Sequence, residues 1–169
     1  MSNFYKYNIY DTGNGKGLRT SIFFCGCEHY CKNCFNESIW GFETGKPFTQ
    51  ETIDEILESS NEHIAGLSVL GGEPMHPRNV SAVYCLCKQF KEKYPNKTIW
   101  LWSGYSFEEL NNNDLKVVKD VLSLIDVLVD GKFIEELKNI TLQWRGSSNQ
   151  RVIDMNKTRE KNEIVLLEK

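Results

Sequence analysis

Short apolar segments alternate with helical patterns along most of this chain, and this alternation restricts its fold more than any other feature. The strands are predicted at Phe4–Tyr10, Thr20–Phe24, Leu67–Leu70, Thr98–Trp102, Val127–Val129 and Glu163–Leu167. The helices are predicted from the capping residue Thr49 through Ser59, over Val80–Lys93 and over most of Phe107–Leu124. Strands and helices in this order imply right-handed crossovers and a mainly parallel sheet of the α/β class.

The length and composition predict one domain with a large apolar core. The chain has 169 residues, of which 40% are hydrophobic, with nine Phe, seven Tyr and four Trp. A chain of this size buries most of its unfolded surface without help from disulfides. We therefore expect a single domain over residues 1–169.

Several classes of protein are disfavoured by the charge and hydropathy patterns. The net charge is −3 and the Lys and Arg residues are scattered, which argues against nucleic acid as the main partner. No stretch of about 18 apolar residues is present, so no membrane span is expected. The first residues lack the apolar region of a secretory signal, which predicts a cytoplasmic location.

Four of the six cysteines lie between Cys25 and Cys34, and clustered cysteines in the reducing cytosol are more often metal ligands or catalytic than bridged. Cys27, Cys31 and Cys34 form a C-x3-C-x2-C pattern. Three such thiolates can hold three irons of a cubane cluster and leave the fourth iron without a protein ligand. A closed zinc site would instead recruit His29 or Cys25 as its fourth ligand. The cysteines alone leave both possibilities open.

The segment Gly71-Gly72-Glu73-Pro74, which follows a predicted strand, favours the iron–sulfur alternative. Its two glycines leave the backbone open to close approach by a ligand, and Glu73 adds a carboxylate. The cysteine loop follows the preceding strand, and the segments Ser103–Tyr105 and Asp130–Lys132 follow later ones. Because the carboxyl ends of parallel strands meet at one edge of a sheet, we expect all four segments to converge there.

Together, the C-x3-C-x2-C loop and the G-G-E-P segment resemble the radical S-adenosylmethionine enzymes. The resemblance implies an incomplete parallel (β/α) barrel and a 4Fe–4S cluster on Cys27, Cys31 and Cys34. It also implies that S-adenosylmethionine binds at the free iron, with the G-G-E segment at its amino group. Reductive cleavage of S-adenosylmethionine would then give a 5′-deoxyadenosyl radical that abstracts a hydrogen atom, and no protein side chain is itself catalytic.

The same resemblance implies the cofactor-binding positions Asn33, Cys34, Phe35, Gly71, Gly72, Glu73, Ser103, Asp130 and Lys132. An aromatic residue usually precedes the third cysteine and stacks near the adenine. Here Asn33 occupies that position, and Phe35 is expected to serve instead. Ser103 is expected near the bound nucleoside or a monovalent cation. Asp130 and Lys132 are expected at the methionine carboxylate or at the substrate loop.

Four further segments are similar to the glycyl-radical activating enzymes of this superfamily: Asn14–Arg19, Ile99–Tyr105, Asp126–Phe133 and Trp144–Arg151. This similarity implies two partners, the glycyl-radical subunit of an anaerobic ribonucleoside-triphosphate reductase and a low-potential electron donor such as a flavodoxin. In the last segment, Arg145 and Arg151 are interpreted either as partner-binding residues or as residues that close a loop by hydrogen bonds.

An alternative from another class is a non-catalytic zinc or iron–sulfur binding module. Such a module would not need the G-G-E-P segment or the polar strand ends. The three histidines, His29, His63 and His76, have no triad-like setting, and we expect them at exposed positions or in support of a site.

Overall fold

The alternating pattern folds into a single sheet, as seen in a computed structural model that describes residues 1–168. The strands are β1 (Asn3–Asp11), β2 (Arg19–Phe24), β3 (Lys46–Pro47), β4 (Gly66–Gly71), β5 (Thr98–Ser103), β6 (Val127–Asp130) and β7 (Arg151–Asp154). The helices are α1 (Gln50–Ser59), α2 (Val80–Lys93), α3 (Phe107–Asn111), α4 (Lys116–Leu124) and α5 (Met155–Lys161). Within residues 1–168, no helix is both long and apolar enough to cross a membrane.

The sheet is mixed and open, with the strand order β3-β1-β2-β4-β5-β6-β7. The four strands β2, β4, β5 and β6 are parallel, as expected for strands joined through helices. The pairs β1–β3, β1–β2 and β6–β7 are antiparallel. The α/β class is therefore confirmed, with a sheet that is only partly parallel and is not closed. The incomplete (β/α) barrel of the radical S-adenosylmethionine type stays a prediction.

Some predicted elements are confirmed and others are wrong. Helix α2 has the predicted bounds, and α1 begins directly after Thr49. The segment Phe107–Leu124 is mostly helical as predicted, but it forms two helices, because the Asn-Asn-Asn-Asp run after Leu110 has low helix propensity. The last strand, predicted at Glu163–Leu167, is reduced to an isolated bridge between Leu166 and Ile153. The regular edge strand is β7, which was not predicted.

The two faces of the sheet have different roles. One face packs against α1, α2 and α4 and forms the core with Ile22, Phe24, Val69, Leu101 and Leu128. The alternating residues of the same strands point to the other face, where Phe23, Leu70, Trp102 and Val129 line a cavity. The alternation along each strand thus separates a structural face from a face available for binding.

A buried arginine joins the amino ends of the parallel strands below this cavity. Arg19 donates from Nε to Ser68 Oγ at 2.8 Å and from Nη2 to the carbonyl oxygens of Leu67 and Thr98, both at 2.9 Å. Its guanidinium also lies over the Trp100 ring, 5.4 Å from the ring centroid. Burial lowers the pKa of Arg19 to about 10. Arg19 therefore connects β2, β4 and β5 through hydrogen bonds that satisfy polar groups inside the sheet.

Candidate functional site

The cavity on the open face has a volume of about 560 Å³ and lies at the carboxyl ends of the parallel strands. It is bounded by the segments that follow β2, β4, β5 and β6 and by the chain between Asn139 and Gln150. The predicted convergence of polar segments at one edge of the sheet is confirmed. Among the predicted site residues, those that line the cavity are Cys27, Cys31, Cys34, Phe35, Gly71, Gly72 and Ser103.

The three cysteines of the C-x3-C-x2-C pattern are brought together by a tightly folded loop. Residues 30 and 33 of this loop have positive φ angles of 52° and 55°, which reverse the chain between the cysteines. Cys27 is buried, and Cys31 and Cys34 are half-buried at the cavity wall. Cys25 is completely buried, packs against Gly45 and does not line the cavity. The structure therefore separates Cys25 from the other three thiols.

The electrostatic setting of these thiols fits a cationic group. Burial, together with the negative charges of Glu73, Cys31 and Cys34, raises the pKa of Cys27 to about 12, although the His29 N–H acts in the opposite direction. Burial and Cys34 also raise the pKa of Cys31, whereas the Phe133 N–H and the Lys132 ammonium act in the opposite direction. A bound metal centre supplies the positive charge that keeps such thiols deprotonated.

The donor set also fits a cluster with an open corner. Three thiols reach the cavity, and the cavity lining among residues 1–168 includes no fourth. In the described part of the chain, no three His, Cys, Asp or Glu side chains, these cysteines included, are grouped closely enough to hold a single metal ion.

Glu73 is completely buried and surrounded by donors from three segments. Its Oε1 accepts from His29 Nε2 and from the Gly104 N–H, both at 2.7 Å. Its Oε2 accepts from the Met75 N–H at 2.9 Å, and Ser103 Oγ lies 2.9 Å from Oε2 and 3.0 Å from Oε1. The carboxylate therefore joins the cysteine loop, the turn after β4 and the end of β5, and it lies behind the cavity wall rather than in it.

His29 is the part of that wall in front of Glu73. Its ring packs edge-on against Tyr105, with 4.6 Å between ring centroids, and it rests on the flat surface that Gly104 leaves. The histidines were expected at exposed positions or in support of a site, and His29 takes the supporting position, beside Glu73. Its contact with Glu73 was not predictable from the sequence, in which His29 is marked only by its place between two cysteines.

The two glycines after β4 are required by the chain's own backbone. A Cβ on Gly71 would lie 2.1 Å from the Phe24 carbonyl oxygen, and one on Gly72 would lie 2.5 Å from that of Gly26. Hydrogen bonds of 2.8 Å run from the Gly72 N–H to Phe24 and from the Glu73 N–H to Gly26. Close approach was predicted at these positions, and the approaching group is the backbone that leads into the cysteine loop.

The residues on either side of Cys34 point in different directions. The Asn33 amide donates to the Glu135 carboxylate at the surface and does not line the cavity. Phe35 is 65% exposed, packs against Phe133 with 5.1 Å between ring centroids and reaches the cavity. Of these two residues, only Phe35 reaches the cavity, and contact of either with an adenine stays a prediction.

Asp130 and Lys132 are not brought into the cavity. Asp130 is buried and accepts from Arg151 Nε at 3.0 Å and from the Phe107 N–H at 2.7 Å. Arg151 also donates to both carboxylate oxygens of Glu108, at 3.1 and 2.7 Å. Lys132 is exposed, and its charge acts on Cys31. Asp130 thus holds β7 and α3 together.

Arg145 also makes hydrogen bonds within its own loop. Its Nη1 donates to the carbonyl oxygens of Gln150 at 2.5 Å and Ser148 at 3.2 Å. Trp144 of the same loop accepts from Trp102 Nε1 through its carbonyl oxygen at 2.7 Å and borders the cavity. The segment Trp144–Arg151 therefore closes one side of the cavity by contacts within the chain.

An α/β sheet with three thiols beside a cavity at its strand ends fits an iron–sulfur protein, and a comparison with known families supports this class. A family model described as a 4Fe-4S single cluster domain matches residues 13–153. The chain is also similar to curated proteins named anaerobic ribonucleoside-triphosphate reductase-activating protein, and it belongs to that family.

Three of these relatives show the extent of the match. The protein from Vibrio cholerae is 45% identical over 151 residues, which cover 88% of this chain and 95% of the relative. The protein from Salmonella typhi is 43% identical over 150 residues, covering 87% and 95%. The protein from Haemophilus influenzae is 39% identical over 152 residues, covering 88% and 95%.

Proposed function

We propose that this chain activates an anaerobic ribonucleoside-triphosphate reductase by generating a glycyl radical on it, as a radical S-adenosylmethionine enzyme. The observation that carries the proposal is the position of the C-x3-C-x2-C thiols and the G-G-E segment at one cavity. The names of the curated relatives support the choice of target.

In this proposal Cys27, Cys31 and Cys34 hold a 4Fe–4S cluster. When bound, the cluster and S-adenosylmethionine supply one-electron cleavage to a 5′-deoxyadenosyl radical, which takes a hydrogen atom from a glycine of the reductase. The chain holds the thiolates, orients the ligand and excludes water from the reacting groups.

The cavity would receive S-adenosylmethionine. Its volume of about 560 Å³ lies within the range of small-molecule sites, roughly 300–1,000 Å³. We assign the amino group to Gly71, Gly72 and Glu73, the adenine to Phe35, and a nucleoside hydroxyl or a monovalent cation to Ser103.

Residues at the cavity edge would act less directly. Lys132, near the cluster loop, would meet the methionine carboxylate or the substrate loop. Asp130 would hold Arg151, and Asn33 would hold the cysteine loop through Glu135.

The reductase would approach the mouth of the cavity. Three exposed apolar residues belong to the cysteine loop or line the cavity, namely Tyr30, Phe35 and Ile140. Such a cluster is typical of a surface that a partner covers. The partner would then complete the enclosure that the open sheet leaves incomplete, and a low-potential donor such as a flavodoxin would supply the electron.

Anaerobic reconstitution tests the proposal. The protein is loaded with iron and sulfide, reduced, and incubated with S-adenosylmethionine with and without the reductase. We expect 5′-deoxyadenosine in both cases and a glycyl radical signal by electron paramagnetic resonance only with the reductase. A stable cluster without 5′-deoxyadenosine would favour a non-catalytic iron–sulfur module, and zinc in place of iron would favour the zinc module.

A further inference from the structure

His29 lies between the cavity and the Glu73 carboxylate, which we assign to the amino group of S-adenosylmethionine. The His29 ring lines the cavity, whereas Glu73 does not and is completely buried. The two side chains are joined by a bond of 2.7 Å between Nε2 and Oε1. Ser103 and Gly104 also line the cavity and donate to Glu73, so a cationic group that enters the cavity must displace one of these three donors to reach the carboxylate.

The other donors to Glu73 cannot make room in the same way. The N–H groups of Gly104 and Met75 belong to the backbone, and Ser103 lies at the end of a parallel strand. His29 donates through its side chain and belongs to a loop, and its ring lies against Gly104, which has no side chain. Only His29 and Ser103 donate through side chains, and of these two the His29 ring, carried by a loop, leaves the larger space when it turns away.

We propose that His29 occupies the place of the ligand's ammonium group on Glu73 in the ligand-free protein and is exchanged for that group on binding. This inference rests on the proposed function, because the ligand is taken to be S-adenosylmethionine or a close relative with a free amino group. An ammonium group is a good replacement, since it donates charge-assisted hydrogen bonds to a carboxylate. His29 is thereby a positioning residue that acts through Glu73.

The exchange has a measurable consequence for affinity. A site whose binding-competent form is only partly populated binds its ligand more weakly by that fraction. Removing the internal competitor should therefore tighten binding of ligands that carry the amino group. Ligands without an amino group do not compete with His29, so their affinity should not change.

Two probes separate these cases: S-adenosylhomocysteine, which has the amino acid group, and 5′-methylthioadenosine, which lacks it. We expect His29→Ala in the reconstituted protein to raise the affinity for S-adenosylhomocysteine roughly tenfold, the equivalent of one hydrogen bond to a charged group. The affinity for 5′-methylthioadenosine should stay the same. Both are measured by calorimetry.

A second variant displaces His29 without removing a polar group. A Cβ on Gly104 would lie 2.5 Å from His29 Cδ2 and 2.6 Å from Nε2, so Gly104→Ala should move the ring off Glu73. The variant should therefore raise the affinity ratio, which is the affinity for S-adenosylhomocysteine divided by the affinity for 5′-methylthioadenosine. His29→Gln keeps an N–H donor at similar reach and should restore the wild-type ratio. The matched control is His76→Ala, since His76 is also buried and pairs with Glu28 of the same loop at 2.9 Å. It should leave the ratio unchanged.

The wild-type protein gives an independent reading if a variant does not fold. The chain has three histidines, so their ring signals can be followed by nuclear magnetic resonance. Both probes enter the cavity that His29 lines, but S-adenosylhomocysteine should shift the His29 signals more than 5′-methylthioadenosine does. An unchanged or lowered affinity ratio, or equal His29 shifts with both probes, overturns the exchange. Failure of the wild-type protein to bind S-adenosylmethionine or either probe would instead remove the proposed function.

Discussion

Cys25 and Cys27 are separated by a single glycine, yet they have opposite surroundings. Cys27 lines the cavity with Cys31 and Cys34, whereas Cys25 is sealed in the core beside Gly45. We predict that Ala at position 27, 31 or 34 abolishes cluster binding, because no spare thiol reaches the cavity, and that Cys25→Ala retains it. Iron and sulfide content and the visible absorbance of the reconstituted variants measure this. Loss of iron in Cys25→Ala with retention in Cys27→Ala would reverse the ligand assignment.

Arg19 is predicted to be a stabilising residue rather than a binding one. Its replacement by Ala removes hydrogen bonds to Ser68 and Thr98 in the sheet interior and leaves their buried acceptors unpaired. We expect Arg19→Ala to lower the free energy of unfolding by about 2–4 kcal/mol. Urea denaturation measures the change. Arg78→Ala is the control: its pair with Glu43 is largely exposed, and it should cost less than about 1 kcal/mol.

The chemistry of single residues was predictable only where it depends on local spacing. The position of Cys27, Cys31 and Cys34 at one cavity follows from the C-x3-C-x2-C pattern, because one loop supplies all three. The surroundings of Glu73 do not follow from any pattern, since its donors come from His29, Ser103 and Met75 in three separate segments. Such a contact is fixed by tertiary packing, which no local window contains.

At the scale of elements, the buried face of α2 should make stability depend on pH. Burial raises the pKa of Cys87 from 9.0 to about 12. Above pH 9 the unfolded chain therefore loses this thiol proton while the folded protein keeps it, so the free energy of unfolding falls as the pH rises towards 12. In cluster-free reduced protein, the stability advantage of wild type over Cys87→Ala should shrink by about 1 kcal/mol between pH 8 and pH 10.

Urea denaturation at the two pH values measures this difference. Cys85→Ala is the control on the same helix, because Cys85 is exposed. Its stability difference from wild type should be the same at both pH values. If the difference in the free energy of unfolding between wild type and Cys87→Ala is also the same at pH 8 and pH 10, the loss of stability at alkaline pH does not come from the Cys87 thiol.

The edge strand β7 is attached to its neighbours through one arginine. Arg151 pairs with buried Asp130 and with exposed Glu108. We expect Arg151→Ala to lower the free energy of unfolding by about 2–3 kcal/mol, because Asp130 is left buried without its cationic partner. Cleavage of S-adenosylmethionine and radical transfer to the reductase should fall by equal factors.

Glu108→Ala tests the same connection from its exposed end and should cost less than about 1 kcal/mol. Chemical denaturation gives both stability changes, and assays of 5′-deoxyadenosine and of the glycyl radical give the two activities. If Arg151→Ala still cleaves S-adenosylmethionine but no longer transfers the radical, Arg151 would instead be interpreted as a partner-binding residue.

Elements were predictable in proportion to the strength of their periodic pattern. Helix α2 has fourteen residues with a regular apolar face, and its bounds were predicted without error. Strand β7 has only the four residues R-V-I-D, with charges at both ends, and its place in the sheet depends on pairing with β6. A short edge strand of this kind is specified by its neighbour more than by its own residues.

At the scale of the whole molecule, the mouth of the cavity should determine contact with the reductase. Ile140 is 88% exposed and borders the cavity. We predict that Ile140→Ser leaves cleavage of S-adenosylmethionine without the reductase unchanged, because it removes only an apolar surface group. Transfer of the radical to the reductase should fall several-fold, as expected when an apolar contact residue is truncated.

The measurement is a pair of assays on one preparation: 5′-deoxyadenosine without the reductase and the glycyl radical signal with it. Leu115→Ser is the matched control, since Leu115, like Ile140, is an exposed branched aliphatic residue. It lies just before α4, in the helical layer. It should affect neither assay. A normal radical signal in Ile140→Ser would exclude this part of the mouth from the interface.

The class of the fold was predictable, but the closure of its sheet was not. Alternating strands and helices correctly imply the parallel order of β2, β4, β5 and β6. The antiparallel outer strands β1, β3 and β7 are joined by irregular or short connections, for which the crossover rule gives no direction. The open sheet is thus a property of its edges, where the sequence pattern is weakest.

The glycine pair after β4 has a consequence for how this site tolerates change. Main-chain hydrogen bonds from Gly72 and Glu73 fasten this turn to Phe24 and Gly26, where the cysteine loop begins. The start of the cysteine loop is therefore held at a fixed distance from the turn by main-chain hydrogen bonds, and the side chains of His29 and Asn79 add further bonds between the same two segments. Because the main-chain bonds do not depend on side-chain identity, the spacing between the two loops should survive substitutions at the exposed positions of either loop.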